Sequence, residues 1–455
     1  MKMKSLVVAI AIVALPATSV FAAALDRSGQ SISAFLQPGN YAEIGVSSLS
    51  PTVEGKDRSG HNISDIGDTY SFGSAAIKLQ PTEQLSFGMI YDEPFGARST
   101  YRGTNDFTAN GTTGTSGNTS ADLKTRNLTT LFGYEPVKNF KVYGGVAYQE
   151  IKKAEVQLRG TAYSVYNGYN STGDEDSAFG WVAGMAYEIP EIALKASLTY
   201  RSEIEHNAKT QESLQIGNLL GAVNAGLGQV DAGLAQINAG LAQLAALPDT
   251  DPRKAGLLAQ QQSLTTTRVG LATQQGRLAA LNAIAPSSLE KASEVTTPQS
   301  VNLDFQTGIM ADTVAFANVR WVEWSNFAIK PALFGAVANA ASPATNGFNL
   351  VDYTDDQWSA NLGVGRKLTQ TVAGNVSVGW DSGAGNPVTT LGPTEGYWNV
   401  GLGLRYSPAP QVELSGGVKY FWLGDATAKV SSGTEVGDFE DNHALAVGLK
   451  LGYRF

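Results

Sequence analysis

The end of the chain alternates between apolar residues and small or charged ones. One set of alternate positions is apolar and ends in aromatic residues: Leu445, Val447, Leu449, Leu451, Tyr453 and Phe455. The intervening set is small or charged: Ala446, Gly448, Lys450, Gly452 and Arg454. Strand side chains alternate between two faces, so this segment has one apolar face and one small, polar face. Residues 398–406 and 412–420 repeat the pattern. An apolar outer face with aromatic ends and a polar inner face is typical of transmembrane β-barrel strands.

The same period recurs from Tyr41 onward and predicts fourteen strands, an even number as in single-chain bacterial barrels. The expected strands are 41–56, 67–80, 83–102, 122–135, 139–160, 177–188, 192–210, 300–311, 313–330, 356–367, 370–381, 396–407, 411–430 and 443–455. Short connections, such as 80–83 and 135–139, alternate with long ones, such as 103–121 and 331–355. Periplasmic turns are short and outer loops long in this class. The sequence therefore predicts an all-β transmembrane barrel of 14 antiparallel strands, with strands 1–7 in 41–210 and strands 8–14 in 297–455.

Residues 211–296 have a helical period instead. Apolar positions from Ile216 to Leu244 step by four and three, and Leu257, Leu264, Leu271 and Leu278 recur every seven residues after the breaker 248–252. This spacing predicts an α-helical coiled-coil hairpin inserted between strands seven and eight. By the strand count, the hairpin is expected outside the cell. The coil could pair within one chain or between chains.

The N-terminus has the features of an export signal. Lys2 and Lys4 precede an apolar run, and small residues follow at 22–24. This arrangement predicts a cleavable signal peptide at 1–23 and export to the outer membrane of a Gram-negative bacterium. Residues 24–40 are too irregular for a spanning strand, and we expect them to form an N-terminal hatch inside the barrel.

Composition narrows the function classes. A net charge of −9 argues against a nucleic-acid partner, and the chain has no cysteine for a disulfide or a thiolate metal site. Its histidines, His61, His206 and His443, have no standard metal-ligand spacing, and no nucleophile motif accompanies them. We therefore expect no enzymatic activity, no cofactor and no metal site.

The sequence resembles the FadL/TodX-type outer-membrane transporters of long-chain fatty acids and aromatic hydrocarbons. The likeness lies in Leu198-Thr-Tyr-Arg-Ser202, Thr297-Pro-Gln-Ser300, Arg320-Trp-Val-Glu-Trp-Ser-Asn-Phe327, the C-terminal Gly452-Tyr-Arg-Phe455 and Tyr91-Asp-Glu-Pro-Phe-Gly-Ala97. This resemblance implies a fourteen-stranded barrel plugged by a hatch, with ligand capture near the outer loops. It also implies lateral exit where strand three is kinked. The Asn-Pro-Ala element often found in the family's hatch is absent from 24–45.

Three groups of candidate site residues follow. Proline inside a strand removes a ladder hydrogen bond, so the segment Pro94, Phe95, Gly96 and Ala97 is expected to open a gap in the wall. The apolar hatch residues Leu25, Ile32, Phe35 and Leu36 are expected to line a ligand pocket. The lumen-facing cations Lys367, Arg405, Lys419, Lys450 and Arg454 are candidates to bind a fatty-acid carboxylate. For each cation, the alternative is an ordinary lumen charge, solvated or paired with Glu413.

The predicted function is passive passage of hydrophobic molecules, most of all long-chain fatty acids, across the outer membrane. The expected surroundings are outer-membrane lipid and lipopolysaccharide. The alternative is an adhesin or receptor barrel whose helical arm binds a protein partner or a second copy of the chain.

Overall fold

The computed structural model of the protein describes residues 25–109, 116–343 and 346–455. Fourteen antiparallel strands form one barrel. Their bounds are β1 Tyr41–Thr52, β2 Tyr70–Leu79, β3 Leu85–Asp92 with Gly96–Thr100, β4 Ser120–Val137, β5 Phe140–Leu158, β6 Tyr169–Gly173 with Asp176–Ile189, β7 Leu194–Arg201 with Ile204–Ser213, β8 Ser288–Thr297 with Ser300–Met310, β9 Thr313–Val322, β10 Gln357–Lys367, β11 Val372–Asp381, β12 Tyr397–Ala409, β13 Val412–Leu423 and β14 His443–Arg454. The predicted signal peptide lies outside the described residues.

The first and last strands close the barrel. β1 pairs with β14 from Tyr41 opposite Arg454 to Thr52 opposite His443, and β1 also pairs with β2. Closure satisfies the backbone hydrogen bonds that an open sheet edge would leave unpaired. The predicted fold class, a fourteen-stranded barrel, is therefore confirmed.

The alternating residues of each strand form an apolar outer face and a polar lumen face of the barrel wall. Leu449 on β14 is 63% exposed, and Ala446, on the opposite face of the same strand, is only 5% exposed. Aromatic side chains flank the apolar band at one end of strands β11 to β13, where Trp380, Trp398 and Trp422 stand opposite one another. Tyr406, Tyr453 and Phe455 flank the band at the other end and are also exposed. Amphipathic rings are enriched at the two interfaces of a bilayer.

Short turns and long loops lie at opposite ends of the barrel, which we name the turn end and the loop end. The turn end contains the short β2–β3, β4–β5 and β12–β13 connections and the C-terminus. At the loop end, five short segments form a small sheet: Gly55–Asp57, Asn62–Ile63, Val388–Thr389, Ala426–Lys429 and Glu435–Phe439. A two-stranded ladder joins Ala328–Ile329 to Val351–Asp352. The helices Thr161–Tyr166, Trp324–Asn326 and α3 (Ala332–Ala341) also lie in loop-end connections.

The structure changes several predicted bounds at the loop end. β1 ends at Thr52 rather than 56, and β13 ends at Leu423 rather than 430, because the chain turns there into the small sheet. β8 begins at Ser288 rather than 300, and β7 continues to Ser213 rather than 210. Residues 288–297 pair with 204–213 in a ladder that lacks a continuous apolar face, so periodicity did not reveal residues 288–297.

The helical arm consists of α1 (Ile216–Gln243) and α2 (Pro252–Ile284), packed antiparallel. Asp251 caps α2 by accepting a hydrogen bond from the Arg253 amide, and Pro252 occupies the first turn. Of the 28 and 33 helical residues, only Ile216, Val223, Ile237 and Leu278 are buried. Among the described residues, none of the helices combines the length and hydropathy needed to cross a bilayer.

Candidate functional site

An apolar cavity of about 120 Å³ lies inside the loop half of the barrel, next to the interruption in β3. Its apolar lining comprises Leu25, Phe95, Ala97, Ala121, Leu123, Ile151, Val156, Val295, Trp324, Phe327, Ile329, Leu350, Val351, Tyr353 and Leu391. Its volume suits a small apolar molecule or part of a longer one. Each ligand methylene group buried in the cavity would contribute ~0.8 kcal/mol to the binding free energy.

Aromatic rings form one side of this cavity. Trp324 is fully buried, and its ring makes edge contacts with Phe95 at 5.7 Å, Phe327 at 5.1 Å and Tyr353 at 5.3 Å. The Trp324 indole Nε1 donates a hydrogen bond of 2.8 Å to Gln357. The only polar atom of the ring therefore has a hydrogen-bond partner in the protein and needs none from a ligand. Burial raises the pKa of Tyr353, which keeps its phenol neutral. These rings offer aromatic and aliphatic ligands a dry surface.

The charged residues in the lining are acidic. Asp122 and Glu155 both pair with Lys153, at 2.9 and 3.0 Å, and Asp122 also lies 3.9 Å from Arg98. Within the described part of the chain, the lining contains no lysine or arginine. A ligand in this cavity is consequently held by apolar contacts rather than by an ion pair.

β3 is interrupted between Asp92 and Gly96, where Pro94 lies, and the N-terminal segment fills this interruption. The ladder between β2 and β3 ends at Ala75 opposite Tyr91. Beyond that point, the Arg27 amide donates to the Pro94 carbonyl at 2.6 Å, and the Gly96 amide donates to the Leu25 carbonyl at 2.8 Å. Residues 25–27 thus replace the missing stretch of the neighbouring strand.

Gly96 is needed at this closure because a side chain would not fit. A Cβ on Gly96 would lie 2.3 Å from the Arg27 guanidinium carbon. That guanidinium stacks over the Tyr70 ring at 3.8 Å, where β2 begins. Arg27 therefore spans the gap between β2 and β3, and it is 5% exposed.

A buried polar network anchors the first part of the hatch. Asp26 forms an ion pair of 2.6 Å with Arg320 of β9, and both side chains are 4% exposed. Arg320 also donates to Gln30, and Asn302 of β8 donates to the Gly29 carbonyl at 2.8 Å. Removing one partner of a buried ion pair leaves an uncompensated charge, at a cost of about 3–5 kcal/mol. The segment is therefore specifically held in the lumen.

The second part of the hatch is anchored by packing. Ile32, Phe35 and Leu36 form one buried cluster with Ile90, Leu131 and Tyr143 of the wall. Phe35 lies against Gly88 and Gly133, where an added Cβ would approach its ring to 2.5 and 2.9 Å. At the turn end, Lys195 donates to the Leu36 carbonyl at 2.7 Å and Lys78 donates to the Gln37 carbonyl.

The structure separates the four predicted pocket residues. Leu25 lines the apolar cavity, whereas Ile32, Phe35 and Leu36 are fully packed in the hatch core and do not line it. Of the kink residues, Phe95, Gly96 and Ala97 border the cavity, and Pro94 accepts the closing hydrogen bond. The predicted kink and one hatch residue are therefore brought together at one place.

The predicted lumen cations are mostly paired. Arg405 and Arg454 lie 3.6 and 3.1 Å from Glu413, and Lys450 lies 2.9 Å from Glu43. Lys367 ends β10 at the turn end. Lys419 points into the lumen from β13 and is 5% exposed.

Sequence comparison alone assigns no relative, because no protein-family model matches the chain and no curated protein matches it significantly. Comparison of folds finds similar solved structures. A FadL homologue from Pseudomonas aeruginosa superposes with a TM-score of 0.63 at 14% identity, over 93% of this chain and 92% of that one. The toluene transporter TodX of P. putida gives a TM-score of 0.55 at 11% identity, over 93% and 91%. The toluene transporter TbuX of Ralstonia pickettii gives 0.50 at 10% identity, over 95% of each chain.

The chain has the fold of these outer-membrane barrels. The match covers most of the chain, so the barrel is shared from end to end. At these identities the likeness concerns the fold, and the chemistry of the site depends on this chain's own residues.

Several residues that hold the hatch beside the cavity were not singled out from sequence for this role. Asp26, Arg27 and Gln30 anchor the hatch, and Arg201 donates to the Gln30 carbonyl at 3.2 Å. Arg201 and Arg320 had appeared only within the segments that carry the family resemblance. The signal that could have identified them is their parity, since each is a charged residue on the lumen face of a strand.

Two of the three histidines, His61 and His206, occupy structural positions. His206 is buried and bonds to Asp176 at 2.9 Å and Gln149 at 3.0 Å, which ties β7 to β5 and β6. In the loop-end sheet, the Asp57 carboxylate accepts hydrogen bonds from the His61 amide and ring and from the Asp106 amide. Burial raises the pKa of Asp57, but these hydrogen bonds outweigh it and leave the pKa below its usual value.

Proposed function

We propose that this protein is an outer-membrane channel for the passive uptake of hydrophobic molecules, with long-chain fatty acids as the first ligands to test. The observation that carries the proposal is that the apolar cavity ends at the wall interruption in β3. That interruption is closed by residues 25–27, which belong to the hatch and not to the barrel wall.

Lateral exit follows from this arrangement. A hydrophobic molecule leaving through the wall enters the bilayer directly and avoids the polar periplasm. Displacement of residues 25–27 would break two backbone hydrogen bonds and expose the cavity to the lipid beside β2. The hatch is therefore the proposed gate, and Arg27 is its outermost side chain.

A reversible crosslink tests this route. Asp26 and Phe95 are partners in an antiparallel bridge, and the flanking hydrogen bonds make them a non-hydrogen-bonded pair. Such pairs have Cα atoms about 4.5 Å apart, within the range for a disulfide. The chain contains no cysteine of its own. We expect the double variant Asp26→Cys/Phe95→Cys to lose uptake of a radiolabelled long-chain fatty acid when oxidised and to regain it on reduction.

The controls separate the gate from general damage. Each single cysteine variant should transport equally under oxidising and reducing conditions. Uptake that continues at the same rate through the oxidised double variant would exclude lateral exit at β3. Failure of the unmodified protein to support uptake of fatty acid or toluene in cells lacking such a channel would exclude the transport function itself.

The helical arm favours a second candidate function, an adhesin or receptor. Helices of this length extend ~45 Å at 1.5 Å per residue, which is longer than a segment needs to be to cover the loop-end cavity. The arm packs on the barrel only through its base, where Ile216, Val223 and Leu278 join the main apolar cluster. Most of its surface is exposed and available to a partner.

Removing the arm distinguishes the two functions. Ser213 and Ser288 are opposite each other in the β7–β8 ladder, and the Leu214 amide donates to the Ser287 carbonyl. Replacing residues 215–286 by a two-residue turn should therefore leave the barrel folded. We expect this variant to retain uptake and to lose attachment to cells or to a partner. Lost uptake with a folded barrel would instead make the arm part of the transport path.

A further inference from the structure

Three side chains of the kinds that bind metal ions meet at the loop end of the barrel. One carboxylate oxygen each from Asp57 and Asp106 and one ring nitrogen of His61 lie within 4.8 Å of one another. Asp57 Oδ2 and His61 Nδ1 are 3.0 Å apart. Ligand atoms bound tetrahedrally at ~2.1 Å from a zinc ion are roughly 3.4 Å from one another. Small rotations of these side chains would therefore let all three hold one ion.

A tight hairpin and a separate loop bring these residues together. Asp57 ends one short strand of the loop-end sheet, and His61 directly precedes the next, Asn62–Ile63. The Gly60 amide donates to the Asp57 carbonyl at 3.0 Å, and Gly60 has a φ of 85°, a conformation that favours glycine. Asp106 comes from the loop between β3 and β4, and its amide donates to Asp57 Oδ2 at 2.9 Å. The arrangement thus depends on contacts between two loops.

The two carboxylates lack a basic partner. The Asp57 side chain is fully buried. Burial alone would raise the pKa of Asp57, but its hydrogen bonds bring the pKa below the usual value, so the carboxylate is ionised. Among the residues that the structure describes, no lysine or arginine lies at ion-pair distance from Asp57 or Asp106, and the neighbouring Arg58 pairs with Glu435 and Asp438 instead. Buried charges in proteins are paired or coordinate metal ions, so this site favours a cation.

Outer hydrogen bonds fix the orientation of both carboxylates. Asp106 Oδ2 accepts from the Ser59 hydroxyl at 2.7 Å, and Asp106 Oδ1 accepts from the Thr161 hydroxyl at 2.9 Å. Asp57 Oδ1 accepts from the His61 amide at 2.8 Å. Carboxylates that bind metal ions are generally held in this way by a second set of partners. The His61 side chain is 54% exposed, which gives an ion access from solvent.

We propose that Asp57, His61 and Asp106 bind one Zn²⁺ ion, with water as the fourth ligand. An imidazole with two carboxylates suits Zn²⁺ better than Ca²⁺ or Mg²⁺, which prefer oxygen ligands alone. The ion fastens the Asp57 hairpin to the β3–β4 loop and, through Thr161, to the helix Thr161–Tyr166. The sequence predicted no metal site because the third ligand is distant in the chain. The proposal does not depend on the transport function.

Calorimetric titration of ZnCl₂ into the purified, tag-free, full-length protein in detergent tests the site, after bound metals are removed with a chelator. We expect the wild type to bind one Zn²⁺ per chain, and CaCl₂ to bind more weakly. His61→Ala should weaken Zn²⁺ binding by about 100-fold or more, because loss of even an outer partner costs about 10–100-fold. Ser59→Ala, which removes such an outer partner, should weaken it about tenfold.

Matched controls remove the same residue types elsewhere at the loop end. His443→Ala removes a histidine that stacks on Tyr420, and Asp438→Asn removes a carboxylate that pairs with Arg58. Both variants should bind Zn²⁺ as the wild type does. The proposal would be overturned by no saturable Zn²⁺ binding to the wild type, by equal affinity in His61→Ala, or by Ca²⁺ binding as tight as that of Zn²⁺.

A second measurement uses the wild type alone and does not depend on the folding of a variant. The ionised Asp57 carboxylate can only accept, so His61 Nδ1 carries the proton and Nε2 is the nitrogen that diethyl pyrocarbonate acylates. Zn²⁺ on Nδ1 moves the proton to Nε2. At ten times the Kd, about one site in eleven stays free, so ZnCl₂ should slow acylation of His61 about elevenfold and leave that of His443 unchanged, as measured by mass spectrometry. Equal acylation of His61 with and without ZnCl₂ would contradict the proposal.

Discussion

A single side chain, Glu212, attaches helix α3 to the barrel wall at the loop end. Glu212, at the loop end of β7, is 2% exposed, and its carboxylate accepts hydrogen bonds of 2.8 Å from the Leu333 and Phe334 amides. These amides lie in the first turn of α3, whose backbone donors have no helical partner. The Tyr169 hydroxyl donates to the same carboxylate at 2.8 Å. One residue of the wall therefore pins the helix beside the cavity.

Replacing Glu212 by alanine should loosen α3 without unfolding the barrel. Loss of an N-terminal cap costs about 1 kcal/mol, which corresponds to roughly fivefold faster local opening. Hydrogen exchange of the Leu333 and Phe334 amides, followed by mass spectrometry, measures this directly. Glu290→Ala is the control, because Glu290 is an exposed residue of β8 that pairs with Lys209. Equal exchange in both variants would show that the carboxylate does not hold α3.

At the scale of single residues, the sequence showed which hatch residues are apolar but not whether each lies in the hatch core or in the cavity. Ile32, Phe35 and Leu36 were expected to line a ligand pocket, and the structure packs them in the hatch core. Their assignment to one pocket with Leu25 stays a prediction that the packing does not support, because the hatch core and the cavity are separate. No pattern in residues 24–40 indicates which wall glycines admit Phe35, since Gly88 and Gly133 are distant in the chain.

Among the elements, the arm follows most directly from local sequence. Leu257, Leu264 and Leu271 face Gly240, Gly233 and Gly226, so each leucine fills the space left by a missing side chain. Beside this seam, Gln261 donates to Asn238 at 2.6 Å, Gln275 donates to Asn224 at 2.7 Å, and Arg268 pairs with Asp231. The seven-residue spacing on both helices fixes the antiparallel register within one chain.

The glycines of α1 should respond differently to alanine. A Cβ on Gly228 would meet nothing within 4 Å, whereas a Cβ on Gly233 would lie 3.1 Å from Leu264 Cδ1. Alanine is preferred over glycine in a helix by about 0.8–1 kcal/mol. Gly228→Ala should therefore raise the melting temperature of the arm by about 4–8 °C. Gly233→Ala should gain less, because the new methyl group displaces the leucine.

Thermal scans of the full-length variants by far-UV circular dichroism measure the helical transition separately from the more stable barrel. Equal gains for both alanine variants would mean that the glycine positions do not receive the leucines. A loss in both would mean that α1 is not stabilised by its helix propensity at all.

The predicted strand bounds were least accurate where strands leave the apolar band. Ser288–Thr297 alternates poorly because both its faces are polar, and only its ladder with Ile204–Ser213 makes it a strand. Long-range pairing of this kind has no local signature. The kink at Pro94 was visible from residue type alone, but its closure by residues 25–27 depends on contacts across the lumen.

For the whole molecule, the alternation of polarity was sufficient to predict closure. An apolar outer face on every strand cannot be buried by packing within one sheet, so it requires lipid. An even number of strands makes the last strand antiparallel to the first, so the two can pair. The register of β1 with β14 meets this expectation. Alternation cannot predict which side chains pair inside the lumen. The ion pairs Asp26–Arg320 and Glu43–Lys450 join residues that are far apart in sequence.

The orientation of the barrel in a bilayer gives a prediction for the molecule as a whole. Leu449 is 63% exposed near the middle of β14, and Leu368 is 60% exposed in the turn after β10. An arginine at the bilayer midplane costs about 2–4 kcal/mol, and one near the interface costs about 0–1 kcal/mol. Leu449→Arg should therefore lower the free energy of unfolding in lipid vesicles by about 2–4 kcal/mol, and Leu368→Arg should have little effect. Since both leucines are similarly exposed, their different costs would arise from depth in the bilayer rather than from lost protein contacts. Equal costs at the two positions would mean that the exposed apolar band does not face the hydrocarbon core.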